Sequence, residues 1–232
     1  MSTSGQKPIK IFGVPISVHT RKVILTARLK SIAREVVPVV PVIPGNPPAN
    51  WRSISPTGLI PAIDDNGYVL ADSTAIVAYL ERKVPEPALL PSDPQDYGRA
   101  WFLDSWAGSA LFRQVVRPLF HQQVVRPKIH AQAPDPMTID TALKQSAPEA
   151  FSHLEQLAPD AHLVGDKLSI ADLAVVSNLI MFQYLGHRID AARFPKLAAY
   201  FQRQLDSPIV FETLQSEKSF VEQMGLDLGF LS

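Results

Sequence analysis

The chain has 232 residues, of which 46% are hydrophobic and 19% charged, and its 22 Lys and Arg balance its 22 Asp and Glu. This balance lacks the basic footprint of a nucleic-acid-binding domain, and no apolar run approaches the length of a membrane span. Without cysteine there is no disulfide, no thiolate nucleophile and no cysteine-ligated metal, and the six histidines have no metal-binding spacing. We therefore expect a soluble, cytoplasmic protein that binds no metal, nucleic acid or membrane.

Strand and helix patterns alternate over the first 50 residues. The β-branched run at residues 9–14 predicts a strand, and apolar residues at helical spacing predict a helix from about Val18 to Ala33. Residues 34–42 are strand-like, but their two prolines each remove a donor from a β ladder, which predicts an edge strand. The Pro- and Gly-rich residues 43–50 predict a loop or a very short helix.

A hairpin and a helix complete this first part of the chain. Residues 59–72 contain two short strand patterns around a turn at Asp64–Gly67, and the Asn66–Gly67 pair is the strongest local hairpin signal in the sequence. A helix is predicted over residues 73–83, beginning at Ser73 and ending before Pro85.

The proline-rich segment 85–94 predicts a linker, because proline continues neither a helix nor a central strand. Helical patterns follow at residues 95–125 and 139–157, then from Ser169 and Pro195, with a short helix at 208–216. The predicted organisation is therefore an α/β domain over 1–84, the linker 85–94 and an all-helical domain over 95–232.

Three separated stretches of the sequence stand in a characteristic order. They are FGVPIS with TRKV at residues 12–23, SPTGLIPAI with LADSTAIVAYL at residues 55–80, and GDKLSIADLAV at residues 165–175. Together they resemble the cytosolic glutathione transferases, in particular the serine-type phi and theta classes. The resemblance extends from Ile9 to about Phe211, and it implies a thioredoxin-like domain that binds glutathione, a helical-bundle domain and a homodimer.

The third stretch has a structural explanation. Ser169 can accept a hydrogen bond from the N–H of Asp172 while Asp172 reaches back to the N–H of Ser169, which makes a capping box. Leu168 and Leu173 occupy the two positions of a hydrophobic staple. This pattern predicts a helix start and says nothing about activity.

Ser17 follows the turn made by Gly13 and Pro15 and directly precedes the first predicted helix. From the residues alone, it is either a helix N-cap or a hydroxyl held for chemistry; Thr20 is the alternative, and His19 competes as a base. A transferase must supply a thiolate, whereas a free thiol has a pKa of about 8.5. Because a hydroxyl donor and a helix N-terminus both favour the anion, the resemblance implies that Ser17 stabilises the glutathione thiolate.

The second stretch is expected to hold the rest of glutathione. From the residues, Pro61 begins a strand, and Ser73 either caps a helix or binds an anion at its N-terminus. The resemblance implies a cis Ile60–Pro61 bond and pairing of the Ile60 backbone with the cysteinyl part of glutathione. It further implies that Ser73 binds the γ-glutamyl carboxylate and that Asp72 binds the γ-glutamyl amine.

Two features depart from the family pattern. Leu59 stands where serine-type relatives usually carry Gln or Lys, and the loop GNPPAN at residues 45–50 lacks the His or Lys that relatives often place there. Asn46, Asn50 and Arg52 are the substitutes for a contact with the glycyl carboxylate. We therefore expect weaker glutathione binding than in a typical member, or a different thiol co-substrate.

The resemblance also implies a pocket for a hydrophobic electrophile between the domains. Aromatic residues at helical spacing are equally typical of the face of a helix that packs into the protein core. Asp104 is expected to point across a dimer interface toward the partner subunit's glutathione. The candidate pocket residues are Val14, Ile16, Trp106, Ser109, Ala110, Phe112, Arg113 and Phe120.

The predicted function is a detoxifying conjugation of the glutathione thiolate to a small hydrophobic electrophile, with glutathione as co-substrate. One alternative is a glutathione-dependent peroxidase or isomerase on the same fold, although the Ser-Ser-Cys stretch of the zeta-class isomerases is absent. A non-catalytic binding or regulatory protein is the second alternative. Leu59 and the proline-rich loop favour the non-catalytic protein, whereas Ser17, Asp72 and Ser73 oppose it.

Overall fold

The computed structural model describes residues 7–157 and 161–231. The chain forms two compact units that divide between Ala88 and Leu89, inside the predicted linker segment. The first unit combines a small sheet with helices, and the described part of the second unit is helical. The predicted α/β plus all-α organisation is therefore confirmed.

Four short strands form one mixed sheet in the order β2–β1–β3–β4. β2 runs parallel to β1 and lies at an edge, as its prolines predict, whereas β3 is antiparallel to both β1 and β4. β2 ends earlier than predicted, because Pro38 has no N–H to donate to a ladder. The strands are β1 (Ile9–Phe12), β2 (Arg34–Val37), β3 (Ala62–Asp65) and β4 (Tyr68–Ala71).

The β3–β4 hairpin closes through Asn66 and Gly67. Both residues have positive φ, 53° and 96°, which is the backbone of a type I′ turn. Asp64 Oδ1 accepts a hydrogen bond from the Gly67 N–H at 2.7 Å. The Asn-Gly pair therefore predicted this turn correctly.

In residues 7–88 of the first unit, three helices connect and cover the strands. α1 (Val18–Leu29) packs against α3 (Ser73–Lys83), and α2 (Trp51–Ile54) is a single turn in the proline-rich connection. The predicted extension of α1 to Ala33 is wrong. Lys30 caps the helix, and Ser31 turns the chain with a φ of 53°.

A buried carboxylate fastens the C-terminal half of α3 to the sheet. Asp65, at the end of β3, accepts a hydrogen bond from Tyr79 Oη at 2.6 Å and forms an ion pair with Lys83. Burial alone would raise the pKa of Asp65, but hydrogen bonds from Lys83, Tyr79 and Asn66 outweigh it and lower that pKa below its usual value. α3 is thereby held in one position on the sheet.

The second unit begins with a long helical rod that runs from Pro94 to Ile129. Within it, residues Ala107–Val116 and His121–Ile129 have the i→i+5 hydrogen bonds of a π-helix. Further along the chain, Ala142–Ser146 is also π-helical. The α-helices of this unit are α4 (Pro94–Trp106), α5 (Arg117–Phe120), α6 (Pro136–Thr141), α7 (Ala147–Leu157), α8 (Ile170–Tyr184), α9 (Pro195–Asp206) and α10 (Pro208–Gln223).

Two predicted helix boundaries in this unit are wrong. The helix expected from residue 139 begins at Pro136, because Asp135 accepts a hydrogen bond from the Met137 N–H and so caps it. The helix expected at 208–216 continues to Gln223. Among residues 7–157 and 161–231, no helix combines the length and apolarity needed to cross a membrane.

α8 lies at the centre of the second unit, with every residue buried. The predicted capping box of Ser169 and Asp172 is present at its start. The Asp172 carboxylate also accepts hydrogen bonds from the Leu163 N–H at 2.9 Å and from Tyr200 Oη at 2.8 Å. Burial, together with the neighbouring Asp172 charge, raises the pKa of Tyr200 well above its usual value, so the phenol stays a donor.

We expect Asp172→Ala to lower the free energy of unfolding by about 4 kcal/mol, because it leaves several buried donors without an acceptor. Tyr200→Phe removes one of these hydrogen bonds and should cost about 2 kcal/mol. Urea unfolding followed by circular dichroism measures both values. Equal losses in the two variants would contradict the assignment of Asp172 as the shared acceptor.

Candidate functional site

The register of the strands brings two of the predicted site segments together at the ends of three neighbouring strands, β1, β3 and β4. Phe12 pairs with Ala62, and Ala62 pairs with Ala71, so the ends of β1, β3 and β4 form one row. Adjacent strands are about 4.8 Å apart, so this row is roughly 10 Å long. The chain leaves it toward Ser17, arrives at it from Ile60 and Pro61, and leaves it again toward Asp72 and Ser73.

A small apolar cluster supports this row. The Trp51 ring packs edge-on against Phe12 at a centroid distance of 6.1 Å, and Trp51 Nε1 donates to the Gly58 carbonyl at 3.0 Å. The single turn α2 is therefore tied both to β1 and to the loop before Pro61. The cluster contains Phe12, Val39, Trp51, Ile54, Ile60, Ala62 and Ala71.

Ser17 is the N-cap of α1. Its Oγ accepts a hydrogen bond from the Thr20 N–H at 3.5 Å, which is long for such a bond. In residues 7–157 and 161–231 the Ser17 hydroxyl donates to no group, so its hydrogen is available to a ligand at the helix N-terminus. The two interpretations of Ser17 are therefore compatible, since a weak cap uses a lone pair and leaves the hydrogen free.

Thr20, the alternative candidate for a donor to a bound thiol, lies in the first turn of α1, and that role stays a prediction. Its side chain is completely buried, and its Oγ1 faces Gly13, because a Cβ added at Gly13 would lie 2.5 Å from that atom. Glycine at position 13 therefore allows β1 and the first turn of α1 to approach closely. His19 lies in the same first turn and is partly buried.

The Ile60–Pro61 peptide bond is cis, as the resemblance implies. Neither the N–H nor the C=O of Ile60 has a hydrogen-bond partner in the described parts of the chain. Just before it, the side chain of Leu59 is 65% exposed. A backbone donor and acceptor are thus unused at the start of β3, which is the arrangement that pairs with an extended peptide.

The predicted N-cap of α3 requires a correction. The cap is Asp72 and not Ser73, because Asp72 Oδ1 accepts hydrogen bonds from the N–H groups of Thr74 at 2.9 Å and Ala75 at 3.1 Å. Ser73 occupies the first helical position, and its N–H and hydroxyl have no partner among the described residues. Asp72 adopts this cap with a φ of 81°, which is rare for a residue other than glycine.

Buried cations accompany the two helix N-termini. Arg21 is completely buried and donates from Nη2 to the Ile16 carbonyl at 3.2 Å. Lys22, 4% exposed, donates from Nζ to Thr74 Oγ1 at 3.1 Å and so connects α1 to the first turn of α3. Lys22 and Thr74 are 52 positions apart, so the sequence carried no signal for this contact.

The three residues predicted to contact the glycyl carboxylate have different hydrogen-bond partners within the protein. Asn46 Oδ1 accepts a hydrogen bond from the Val40 N–H at 2.6 Å, so this side chain closes its own loop. Arg52 is exposed, its Nη1 donates to the Pro56 carbonyl at 2.9 Å, and its guanidinium lies beside Gly58. Asn50 makes no side-chain cap to α2. Arg52 is thus the candidate with charged donors at the surface.

Three of the residues predicted near the electrophile pocket or the dimer interface are buried in the single chain. Val14 and Ile16 are 7% and 2% exposed, so they lie in the protein interior and offer little surface to a ligand. Asp104, expected to face a partner subunit, is 3% exposed in the single chain, and its place at a dimer interface stays a prediction.

The remaining pocket candidates lie on the helical rod of the second unit. The Trp106 ring lies 4.9 Å from the His153 ring, and Ser109 Oγ donates to the Ser105 carbonyl of its own helix at 2.9 Å. Their role in binding an electrophile stays a prediction. Ser109 and Arg113 are exposed, whereas Trp106, Ala110, Phe112 and Phe120 are partly buried.

The sequence matches the models of a known protein family in both of its units. The model of the glutathione S-transferase N-terminal domain matches residues 11–88, and that of the C-terminal domain matches residues 134–203. Glutathione S-transferase 3 of Zea mays is 30% identical over 178 residues, which cover 71% of this chain and 74% of that protein. The chain belongs to the glutathione S-transferase family. The thioredoxin-like and helical-bundle domains that the resemblance implied are therefore confirmed.

Other relatives carry different names. The chain is 26% identical over 221 residues to glutathione S-transferase Z1 of Arabidopsis thaliana, covering 94% of this chain and 96% of that protein. It is 27% identical over 188 residues to a maleylacetoacetate isomerase of Pseudomonas aeruginosa, covering 79% and 85%. A solved glutathione S-transferase from Rhodospirillum rubrum F11 has the same fold, with a TM-score of 0.80 at 22% identity over 89% of this chain and 91% of that one.

Membership of this family supports a glutathione-dependent activity, with glutathione as a substrate. In the described residues, no group of His, Asp or Glu side chains is arranged to hold a metal ion.

We expect Gly13→Ala to lower the free energy of unfolding by about 2 kcal/mol, because the new Cβ overlaps Thr20 Oγ1. Chemical denaturation measures the loss. The double variant Gly13→Ala/Thr20→Ala removes the overlapping atoms, so it should be more stable than the sum of the two single changes predicts. Strict additivity would contradict the close approach of these residues.

Proposed function

We propose that this protein is a glutathione transferase that adds the glutathione thiolate to a small hydrophobic electrophile. One observation carries the proposal: Ser17, Ile60 and Ser73 each present unused hydrogen-bonding groups at the same sheet edge. An extended tripeptide is roughly 10 Å long, which matches the length of the row formed by Phe12, Ala62 and Ala71.

In this proposal the γ-glutamyl group binds at the start of α3. Its carboxylate accepts from the Ser73 N–H and hydroxyl, where the helix dipole favours an anion. Its amine lies at Asp72 Oδ2, since Oδ1 already accepts from two backbone N–H groups. The cysteinyl backbone pairs with the N–H and C=O of Ile60.

Ser17 donates its hydroxyl hydrogen to the sulfur. Lowering the thiol pKa by about two units requires about 2.7 kcal/mol in favour of the anion. A hydrogen bond to a charged group contributes about 1.5–3 kcal/mol, and a helix N-terminus adds about 0.3–1 kcal/mol. The Ser17 hydroxyl and the α1 N-terminus therefore suffice in size, and no general base is needed. The electrophile reacts with the sulfur of the co-substrate, since the chain has no cysteine of its own.

A glutathione-dependent isomerase is the second candidate, because one relative is a maleylacetoacetate isomerase. The same binding site would serve it, and turnover of maleylacetoacetate by the purified protein would favour it over conjugation. The fold is also compatible with a glutathione-dependent peroxidase and with a non-catalytic binding protein. Glutathione titrated by calorimetry separates the enzyme from a protein that does not bind it. The homodimer and the cytoplasmic location belong to the proposal as well.

We expect Ser17→Ala to reduce kcat for a chromogenic aromatic electrophile about 10-fold to 100-fold, because the thiolate loses its hydrogen-bond donor. The pH profile of kcat/KM should shift toward higher pH, as the bound thiol approaches its free pKa of about 8.5. Ser92→Ala, an exposed serine outside the site, is the matched control. An unchanged rate and pH profile in Ser17→Ala would remove Ser17 from the mechanism.

Arg52 is proposed to contact the glycyl carboxylate, because it is the only Lys, Arg or His between Arg34 and Arg82. We expect Arg52→Gln to raise the Kd for glutathione about fivefold, as for an exposed ion pair. Wild-type protein should bind glutathione with an amidated glycine about as weakly, and the variant should not distinguish the two ligands. Discrimination retained by Arg52→Gln in calorimetry would contradict the contact.

A further inference from the structure

Two lysines of α1 are buried, and each connects α1 to one end of α3. Lys22 Nζ donates to Thr74 Oγ1 at 3.1 Å, in the first turn of α3. Lys30 Nζ donates to the carbonyls of Val84 at 2.7 Å and Pro87 at 3.0 Å, beyond the last turn of α3. Both residues are only 4% exposed, and they lie at opposite ends of α3.

The position of Lys30 is explained by stability. A helix C-terminus presents unpaired carbonyls and partial negative charge, and a cation there is stabilising. Lys30 also forms an ion pair with Glu81 at 2.6 Å. These contacts favour a buried ammonium at this end of α3.

The helix dipole that favours Lys30 at the C-terminus of α3 does not favour Lys22 at its N-terminus. At the α3 N-terminus the helix dipole is positive, so it disfavours a buried ammonium and favours a bound anion. α1 begins on the same side, and its N-terminus is positive as well. A cation between two helix starts contributes little to stability through these dipoles, but it adds to the field that attracts an anion.

Thr74 connects Lys22 to the γ-glutamyl site. The Thr74 N–H donates to Asp72 Oδ1 at 2.9 Å, and Thr74 directly follows Ser73 in the first turn of α3. Asp72 holds an unusual backbone conformation, with φ at 81° and ψ at 122°, which neighbouring contacts must maintain. A restraint on Thr74 is therefore also a restraint on the groups proposed to bind the carboxylate.

We propose that Lys22 is a positioning residue for glutathione binding. Through Thr74 it holds the start of α3 against α1, so that the Ser73 donors and the Ser17 hydroxyl keep a fixed separation, and its charge favours the anionic ligand. Lys22 does not touch the substrate in this role. The inference rests on the proposed function, because it concerns the same glutathione site.

The test compares Lys22→Met with Lys30→Met, a matched loss of a buried charge at the other end of α3. We expect Lys22→Met to raise the Kd for glutathione about tenfold, because the Ser73 donors lose their fixed position and the anionic ligand loses a nearby cation. The apparent pKa of the bound thiol, followed by thiolate absorbance, should rise as well. Lys22→Arg should recover most of the affinity, and Lys30→Met should lower the thermal midpoint while leaving Kd within about twofold.

Each outcome decides between the two proposals. If wild-type protein does not bind glutathione, the transferase proposal and this inference both fail. If wild-type protein binds and both methionine variants bind equally well, only the role of Lys22 is overturned. Should Lys22→Met not fold, Thr74→Val takes its place: a Kd at least threefold higher supports the inference, and an unchanged Kd overturns it.

Discussion

The antiparallel pairing of β3 with both β1 and β4 is the constraint on which the site depends. This one register puts Phe12, Ala62 and Ala71 side by side, and so it brings together loops that are distant in sequence. A slip by one residue would reverse which side chains face the core, and it would separate Ser17 from Ile60 and Ser73. The type I′ turn and the apolar cluster around Trp51 both stabilise this register, because each is compatible with only one pairing.

The candidate site is built from groups that also stabilise the fold. Asp72 caps α3 through Oδ1 alone, and Ser17 caps α1 through one long hydrogen bond in which its hydroxyl is the acceptor. The same two residues depart locally from ideal structure, through the positive φ of Asp72 and the long hydrogen bond at Ser17. Functional sites are where departures of this kind are expected, since the surrounding structure compensates for them.

Local signals predicted much of the fold. The Asn66–Gly67 turn, the edge position of β2 and the capping box of Ser169 with Asp172 each depend on residues close together in sequence. Helix ends were less predictable, because Lys30 and Asp135 act through local capping hydrogen bonds that hydrophobic spacing does not reveal. The site was predicted through its resemblance to a family, and hydrogen bonding showed that the N-cap of α3 is Asp72 and not Ser73.

By itself, the sequence determined that any reacting sulfur must come with a co-substrate, because the chain has no cysteine, and it determined the order of strands and helices through their periodicity. Only the tertiary structure decided which hydroxyls are accessible, which aspartate caps α3 and where the cations of α1 lie. The physical reason is that burial and hydrogen bonding depend on contacts between residues far apart in the chain. Lys22 and Thr74 are 52 positions apart, and no local pattern predicts that their side chains meet.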